Sequence, residues 1–109
     1  MQTDFDSDLG RALSAARQVL LVVNQVQRAD ALTPGEVIRA VRAFEAAALD
    51  EGGIEVLPLC RSLLTDLESV RRARVSPASF GAGAVERIDS YAQDLLDRQS
   101  TSQKERMAA

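Results

Sequence analysis

The sequence contains few residues whose types and spacing could carry out chemistry. It has 109 residues, no histidine and one cysteine, Cys60. A Ser-His or Cys-His nucleophile pair is therefore excluded, and so is a zinc site built from the usual ligands. Asp94 and Asp97 share one face of a predicted helix, but no neighbouring acid, base or metal ligand makes them a catalytic pair. We expect a protein that is not an enzyme, with no cofactor and no metal.

Composition indicates one domain made of packed helices. Hydrophobic residues make up 46% and charged residues 27% of a chain that is long enough for one core. Aromatic residues are few, which favours an aliphatic core of packed helices. The net charge of −3 argues against nucleic acid as a partner. The acidic start "MQTDFDSDLG" lacks the basic segment of a signal peptide, and no apolar run reaches membrane-spanning length. These patterns predict a cytoplasmic protein without membrane contact and with a reduced, buried Cys60.

Apolar residues at helical spacing predict four helices separated by short turns. The first covers about 6–28, and the second begins at "TPGE", where Thr33 caps, Pro34 starts the helix and Glu36 completes a capping box. The second ends at "DEGG", and the third and fourth cover about 54–74 and 82–98. We expect an all-α, antiparallel up-down-up-down bundle over 1–99, followed by a disordered polar tail over 100–109. The predicted core stripes of the first two helices are Leu9, Leu13, Ala16, Leu20 and Val23, then Val37, Val41, Phe44 and Ala48.

The stretch "RAVRAFEAAALDEGGIEVLPLCRSLLTDLE" at 39–68 resembles the histidine-containing phosphotransfer (HPt) domain of bacterial two-component signalling, in particular the N-terminal domain of the chemotaxis kinase. The second helix of that family carries Arg-Ala-x-His-x-x-Lys-Gly followed by small residues. Here the lead-in is "RAV", the turn after the helix is "GI" at 53–54, and the third helix closes with "LE" at 67–68. Spacing and helix order agree over about residues 5–97.

Three departures remove the phosphotransfer chemistry that this resemblance would imply. Arg42 stands in place of the phosphorylated histidine, Glu45 in place of the lysine, and Ala46 in place of the glycine that lets a partner approach. An arginine side chain stays protonated at accessible pH and cannot act as the nucleophile. The resemblance therefore implies a pseudo-phosphotransfer domain, with the family's shape and without its phosphorelay.

The resemblance also implies a partner-binding surface, which we call the second-helix strip. In the family this surface docks a response-regulator receiver domain, whose phosphorylation pocket is lined with acids, and an arginine could enter that pocket. We expect an adaptor that binds a receiver or a histidine kinase. The alternative is that the two arginines of the strip are solvated residues on an ordinary exposed helix face. The strip consists of Arg39, Arg42, Glu45, Ala46 and Leu49.

A second function, of another class, stays open from the apolar band at 20–23. The run "VLLVV" at 19–23 is wider than one stripe needs, and excess apolar surface on a bundle tends to bind a partner. This pattern favours a self-associating structural protein, with a homodimer through the first helix, or a small chaperone for a secreted or flagellar component. The other interpretation of the band is that it closes the bundle core.

Overall fold

Four α-helices form the described part of the chain. The computed structural model describes residues 4–30 and 33–108, and it describes side chains for residues 8–30 and 33–101. Within these ranges the chain contains helices and turns and no strand, so the predicted all-α class is confirmed. Short 3₁₀ turns at Ile54–Val56 and Pro77–Ser79 precede the last two helices. The helices are α1 (Asp4–Gln27), α2 (Pro34–Glu51), α3 (Leu57–Arg71) and α4 (Val85–Ala108).

The two ends of α2 follow the sequence signals. Thr33 Oγ1 accepts a hydrogen bond from the Glu36 N–H, and the Glu36 carboxylate accepts one from the Thr33 N–H, each at 3.2 Å. Pro34 occupies the first turn, where its missing N–H costs no helical hydrogen bond. At the other end Gly52 adopts φ 96°, the left-handed conformation that glycine reaches without strain. The predicted capping box and glycine stop are confirmed.

The bounds of the last two helices differ from the prediction. The segment 54–56 is a 3₁₀ turn, and α3 ends at Arg71 rather than near residue 74. Helix α4 begins at Val85 and continues to Ala108, so helical backbone covers 100–108, where we expected a disordered tail. Gln, Lys, Glu, Arg, Met and Ala in this stretch are good helix formers, and they extend a helix without an apolar stripe. Ala109 lies outside the described residues.

One hydrophobic cluster joins the four helices. The predicted α2 stripe of Val37, Val41, Phe44 and Ala48 is fully buried. Helix α1 buries a wider arc than predicted, because it packs against both α2 and α4. Ala12, Val19 and Val22 join its core, Leu20 is half-buried, and Leu21 is 51% exposed. Within the described ranges, none of these helices has the length and apolarity that a membrane crossing needs.

The turn between α3 and α4 is part of the core. Phe80 is completely buried, and its carbonyl oxygen accepts a hydrogen bond of 2.8 Å from Gln27 Nε2 of α1. The Gly81 N–H donates to Asp66 Oδ2 of α3 at 3.2 Å. Gly81 has φ +70°, and a Cβ there would lie 3.1 Å from Val23 Cγ1. This turn therefore requires glycine both for its backbone conformation and for its close packing.

Candidate functional site

The second-helix strip lies on the side of α2 opposite its core stripe. The strip steps along the helix at positions 39, 42, 46 and 49, a spacing that keeps residues on one face. Arg39, Arg42 and Ala46 are exposed, Leu49 is 47% exposed, and Glu45 is half-buried. An apolar side chain of that size is ordinarily covered, so Leu49 is the part of the strip with most to gain from a contact.

The two edges of the strip face different neighbouring helices, α1 on one side and α3 on the other. Arg42 and Ala46 occupy its centre, whereas Arg39 lies at one edge and lines a groove of about 490 Å³ between α1 and α2. The sequence indicated one face and did not indicate this groove. The other groove residues are Gln18, Val22, Gln25, Glu36, Ala40 and Ala43.

Glu45 lies at the opposite edge, towards α3 and Cys60. Burial, and next the negative charge of Glu45, raise the pKa of the Cys60 thiol to about 11. The thiol is free and buried, and its Sγ lies 4.0 Å from the carbonyl oxygen of Val41. Because a thiol with a raised pKa holds little thiolate near neutral pH, this cysteine is a core residue and not a reactive group.

The strip offers two guanidinium donors and one carboxylate acceptor. Among the side chains described, Arg39, Arg42 and Glu45 take part in no ion pair. Ala46 lies one turn after Arg42, and its side chain is only a methyl group, which leaves the space beside Arg42 open. The Arg42 guanidinium is therefore free to direct its planar donors at an acidic partner. In the same described part of the chain, no group of three His, Cys, Asp or Glu side chains could hold a metal ion.

A buried polar network at the end of α2 could not be predicted from the sequence. The side chain of Glu51 is 1% exposed and accepts a 2.5 Å hydrogen bond from the Tyr91 hydroxyl of α4. Its second oxygen, Oε2, lies 3.1 Å from Arg98 Nη1, and Arg98 also pairs with Asp94 at 3.1 Å. Burial, and next the hydrogen bond to Glu51, raise the pKa of Tyr91. The Tyr91 ring packs edge-on against Phe44 with 5.8 Å between centroids. The network joins the C-terminal end of α2 to α4.

The Glu51–Tyr91 hydrogen bond leaves no room for a side chain at Gly53. A Cβ at Gly53 would lie 2.6 Å from both Glu51 Oε1 and the Tyr91 hydroxyl. Only glycine therefore lets the chain turn beside the buried hydrogen bond. Ile54 follows and is 66% exposed, more than any other large apolar residue described. Helical periodicity could not have shown this exposure, because Ile54 lies outside α2.

Comparisons of the chain with known protein families, with curated protein sequences and with solved structures found no significant match.

Proposed function

We propose that this protein is a non-catalytic pseudo-phosphotransfer adaptor in two-component or chemotaxis-type signalling. It binds a response-regulator receiver or a histidine kinase through the second-helix strip and modulates the phosphorylation of that partner. The observation that carries the proposal is the state of Arg42, which is exposed at the centre of α2 and takes part in no ion pair among the described side chains.

The chemistry of the strip supports an acidic partner with an apolar contact point. Arg39 and Arg42 supply two cations, while Leu49 supplies apolar area at one end of the strip. Apolar burial contributes most of the affinity in such an arrangement. Charged groups at the rim mainly set the choice of partner and the association rate. An acidic pocket such as that of a receiver domain matches both features.

The contacts between helices support the finer architecture that accompanies this role. Helix α1 packs against α2 and α4, and α2 packs against α3. Gly10 near the start of α1 lies beside Gln99 of α4, and Gln27 at the end of α1 bonds to Phe80 just before α4. This order of contacts favours an antiparallel up-down-up-down bundle, with the strip on an outer face. We propose a cytoplasmic location, where the partner domains of such an adaptor work.

Affinity capture tests the proposal in lysate of the native organism. Wild type, Arg42→Glu and Arg74→Glu serve as baits, and captured proteins are identified by mass spectrometry. Arg74 is an exposed arginine after α3 and provides a matched charge reversal outside the strip. We expect wild type and Arg74→Glu to recover a receiver protein or a histidine kinase, and Arg42→Glu to lose it.

Two outcomes would contradict the adaptor role. The first is recovery of the protein alone, or of a secretion or flagellar component in equal amounts by wild type and Arg42→Glu. The second is an acid-labile phosphoramidate on the chain after incubation with a phosphorylated partner, because such a product requires a nitrogen nucleophile that Arg42 does not provide.

The exposure of Leu21 supports the second candidate function, which is self-association or the role of a small chaperone. Most of the band at 20–23 belongs to the core, since Val22 and Val23 are buried and Leu20 is half-buried. Leu21 alone is 51% exposed. The observation that favours this candidate is therefore a single large apolar side chain on the outer face of α1.

A further inference from the structure

The outer face of α1 combines an apolar side chain with an arginine that forms no ion pair among the described side chains. Leu21 borders a shallow groove of about 340 Å³ that runs back along α1 to Gly10 and is closed on the α4 side by Gln99. Arg17 lines the same groove and is exposed. The sequence has no acid between Leu9 and Ala29, so α1 carries no acid of its own that could pair with Arg17.

The outer face of α4 has the opposite charge. Asp89, Gln93 and Asp97 are exposed and share one side of the helix, because they are four residues apart. Among the described side chains no ion pair involves Arg17, Asp89 or Asp97. Arg17 of α1 and the two acids of α4 are therefore exposed charges without an ion-pair partner among the described side chains.

The heights of these charges along the bundle match. The Gln99 side chain reaches Gly10, and the Gln27 side chain bonds to Phe80, so α1 and α4 run antiparallel side by side. Both helices rise about 1.5 Å per residue. Asp89, ten residues before Gln99, therefore lies near the α1 residue ten positions after Gly10, within the stretch from Arg17 to Leu21. A two-fold axis parallel to the helices keeps every residue at its own height. Such an axis, passing beside α1 and α4, brings Arg17 of one copy opposite Asp89 of the other, twice in each dimer.

We propose that the α1–α4 face binds a second copy of this chain. In the dimer α1 of each copy lies against α4 of the other, Leu21 is buried at the centre, and Arg17 pairs with Asp89 of the second copy. An α1-to-α1 arrangement is disfavoured because it brings Arg17 close to its own counterpart. The inference stands apart from the adaptor proposal, since the second-helix strip lies on α2 and is not covered by this face.

Sedimentation equilibrium tests the dimer over protein concentrations up to about 200 μM, where a weak but specific association is populated. Wild type is expected to dimerise. Leu21→Glu is expected to be a monomer, because it buries an unpaired charge at the centre of the interface. Arg42→Glu, a charge reversal on the second-helix strip, is expected to dimerise like wild type. Circular dichroism checks that each variant keeps its helical content.

A charge swap tests the pairing itself. Arg17→Glu and Asp89→Arg are each expected to raise the dimer dissociation constant about tenfold, because each single change places like charges together twice. The double variant Arg17→Glu/Asp89→Arg restores opposite charges, so its dissociation constant is expected to return close to that of wild type. Raising the salt concentration weakens the wild-type dimer.

Three results would overturn the inference. One is a wild-type chain that stays monomeric over the whole concentration range. Another is a dimer that Leu21→Glu leaves unchanged. The third is a double variant that associates no better than either single variant, since the two residues would then not face each other.

Discussion

Single side chains decide the chemistry of this protein. In the proposed pseudo-phosphotransfer domain, Arg42 would take the place of the phosphorylated histidine, and a protonated guanidinium can donate hydrogen bonds but cannot attack phosphorus. Cys60, the one thiol in the chain, is buried and has a raised pKa. The thiol is therefore shielded, whereas Arg42 is exposed.

The protection of Cys60 leads to a prediction about thiol reactivity. A pKa of about 11 in place of 9.0 lowers the thiolate fraction at pH 8. We expect the native protein to react with Ellman's reagent at least about 100-fold more slowly than the unfolded protein, since each pKa unit changes the thiolate fraction tenfold. Absorbance at pH 8, with a urea-unfolded control, measures both rates. Equal rates would show that Cys60 is not shielded.

Gly53 and Gly52 form a matched pair for testing the buried network. Gly53→Ala inserts a methyl group against Glu51 and Tyr91, and we expect it to lower the free energy of unfolding by about 1–3 kcal/mol through overpacking. Gly52→Ala meets open space but keeps a φ of 96°. Its expected cost of about 1 kcal/mol comes from backbone strain alone.

Tyr91→Phe distinguishes the two causes in urea unfolding experiments. Removing the hydroxyl relieves the contact that Gly53→Ala creates, so the two changes together are expected to cost less than their sum. Tyr91→Phe combined with Gly52→Ala is expected to be additive. Simple additivity in both pairs would mean that Gly53 does not contact the network.

At the scale of helices, two terminations use a residue that is poorly suited to them. Helices α1 and α3 both end with a left-handed alanine, Ala29 at φ 58° and Ala73 at φ 56°. In each case the following N–H bonds back to the last turn, from Asp30 to Gln25 and from Arg74 to Ser69. Glycine is the usual residue at this position because it has no Cβ to strain.

Ala29→Gly and Ala73→Gly are therefore expected to stabilise the protein. Relief of left-handed strain contributes about 1–2 kcal/mol, and the more flexible unfolded chain offsets part of this, which leaves a gain of up to about 1 kcal/mol at each site. Ala43→Gly, on the exposed middle of α2, is the control and is expected to destabilise by about 1 kcal/mol. Thermal unfolding measures all three. Destabilisation by both capping variants would contradict the assignment.

The helices also show where sequence patterns predict structure well. The α2 stripe and both caps of α2 were predicted correctly, because they depend on local spacing and on hydrogen bonds between near neighbours. The α1 stripe was only partly correct. A helix that packs against two neighbours buries a wide arc, and the run at 19–23 is apolar at every position. Periodicity alone could not tell that Val19 and Val22 lie inside and Leu21 outside.

At the scale of the whole molecule, long-range contacts are what the sequence did not reveal. Phe80 lies in a turn without periodicity, and Glu51 meets Tyr91 and Arg98 from the far end of the chain. No local pattern records such a pairing. For the second-helix strip, the sequence predicted which residues share a face, while the groove beside Arg39 and the exposure of Ile54 after α2 needed the folded chain.

Phe80 gives a prediction for the stability of the whole domain. It is as fully buried as Phe44 although it belongs to a turn. Phe80→Ala is expected to lower the free energy of unfolding by about 3–5 kcal/mol, as is usual for a core phenylalanine. Val75→Ala, in the same connection but exposed, is expected to change it by less than about 0.5 kcal/mol. Urea unfolding followed by circular dichroism measures both. A small effect of Phe80→Ala would show that the turn detaches from the core.

The anchoring of that same turn determines where the chain can accept an inserted segment. Gln27 and Asp66 tie Phe80 and Gly81 to α1 and α3, whereas residues 72–76 are exposed. The insertion of a reporter domain at 72–76 is therefore expected to leave the core contacts intact. An insertion at 80–81 is expected to break the hydrogen bonds from Gln27 and to Asp66 that anchor the start of α4.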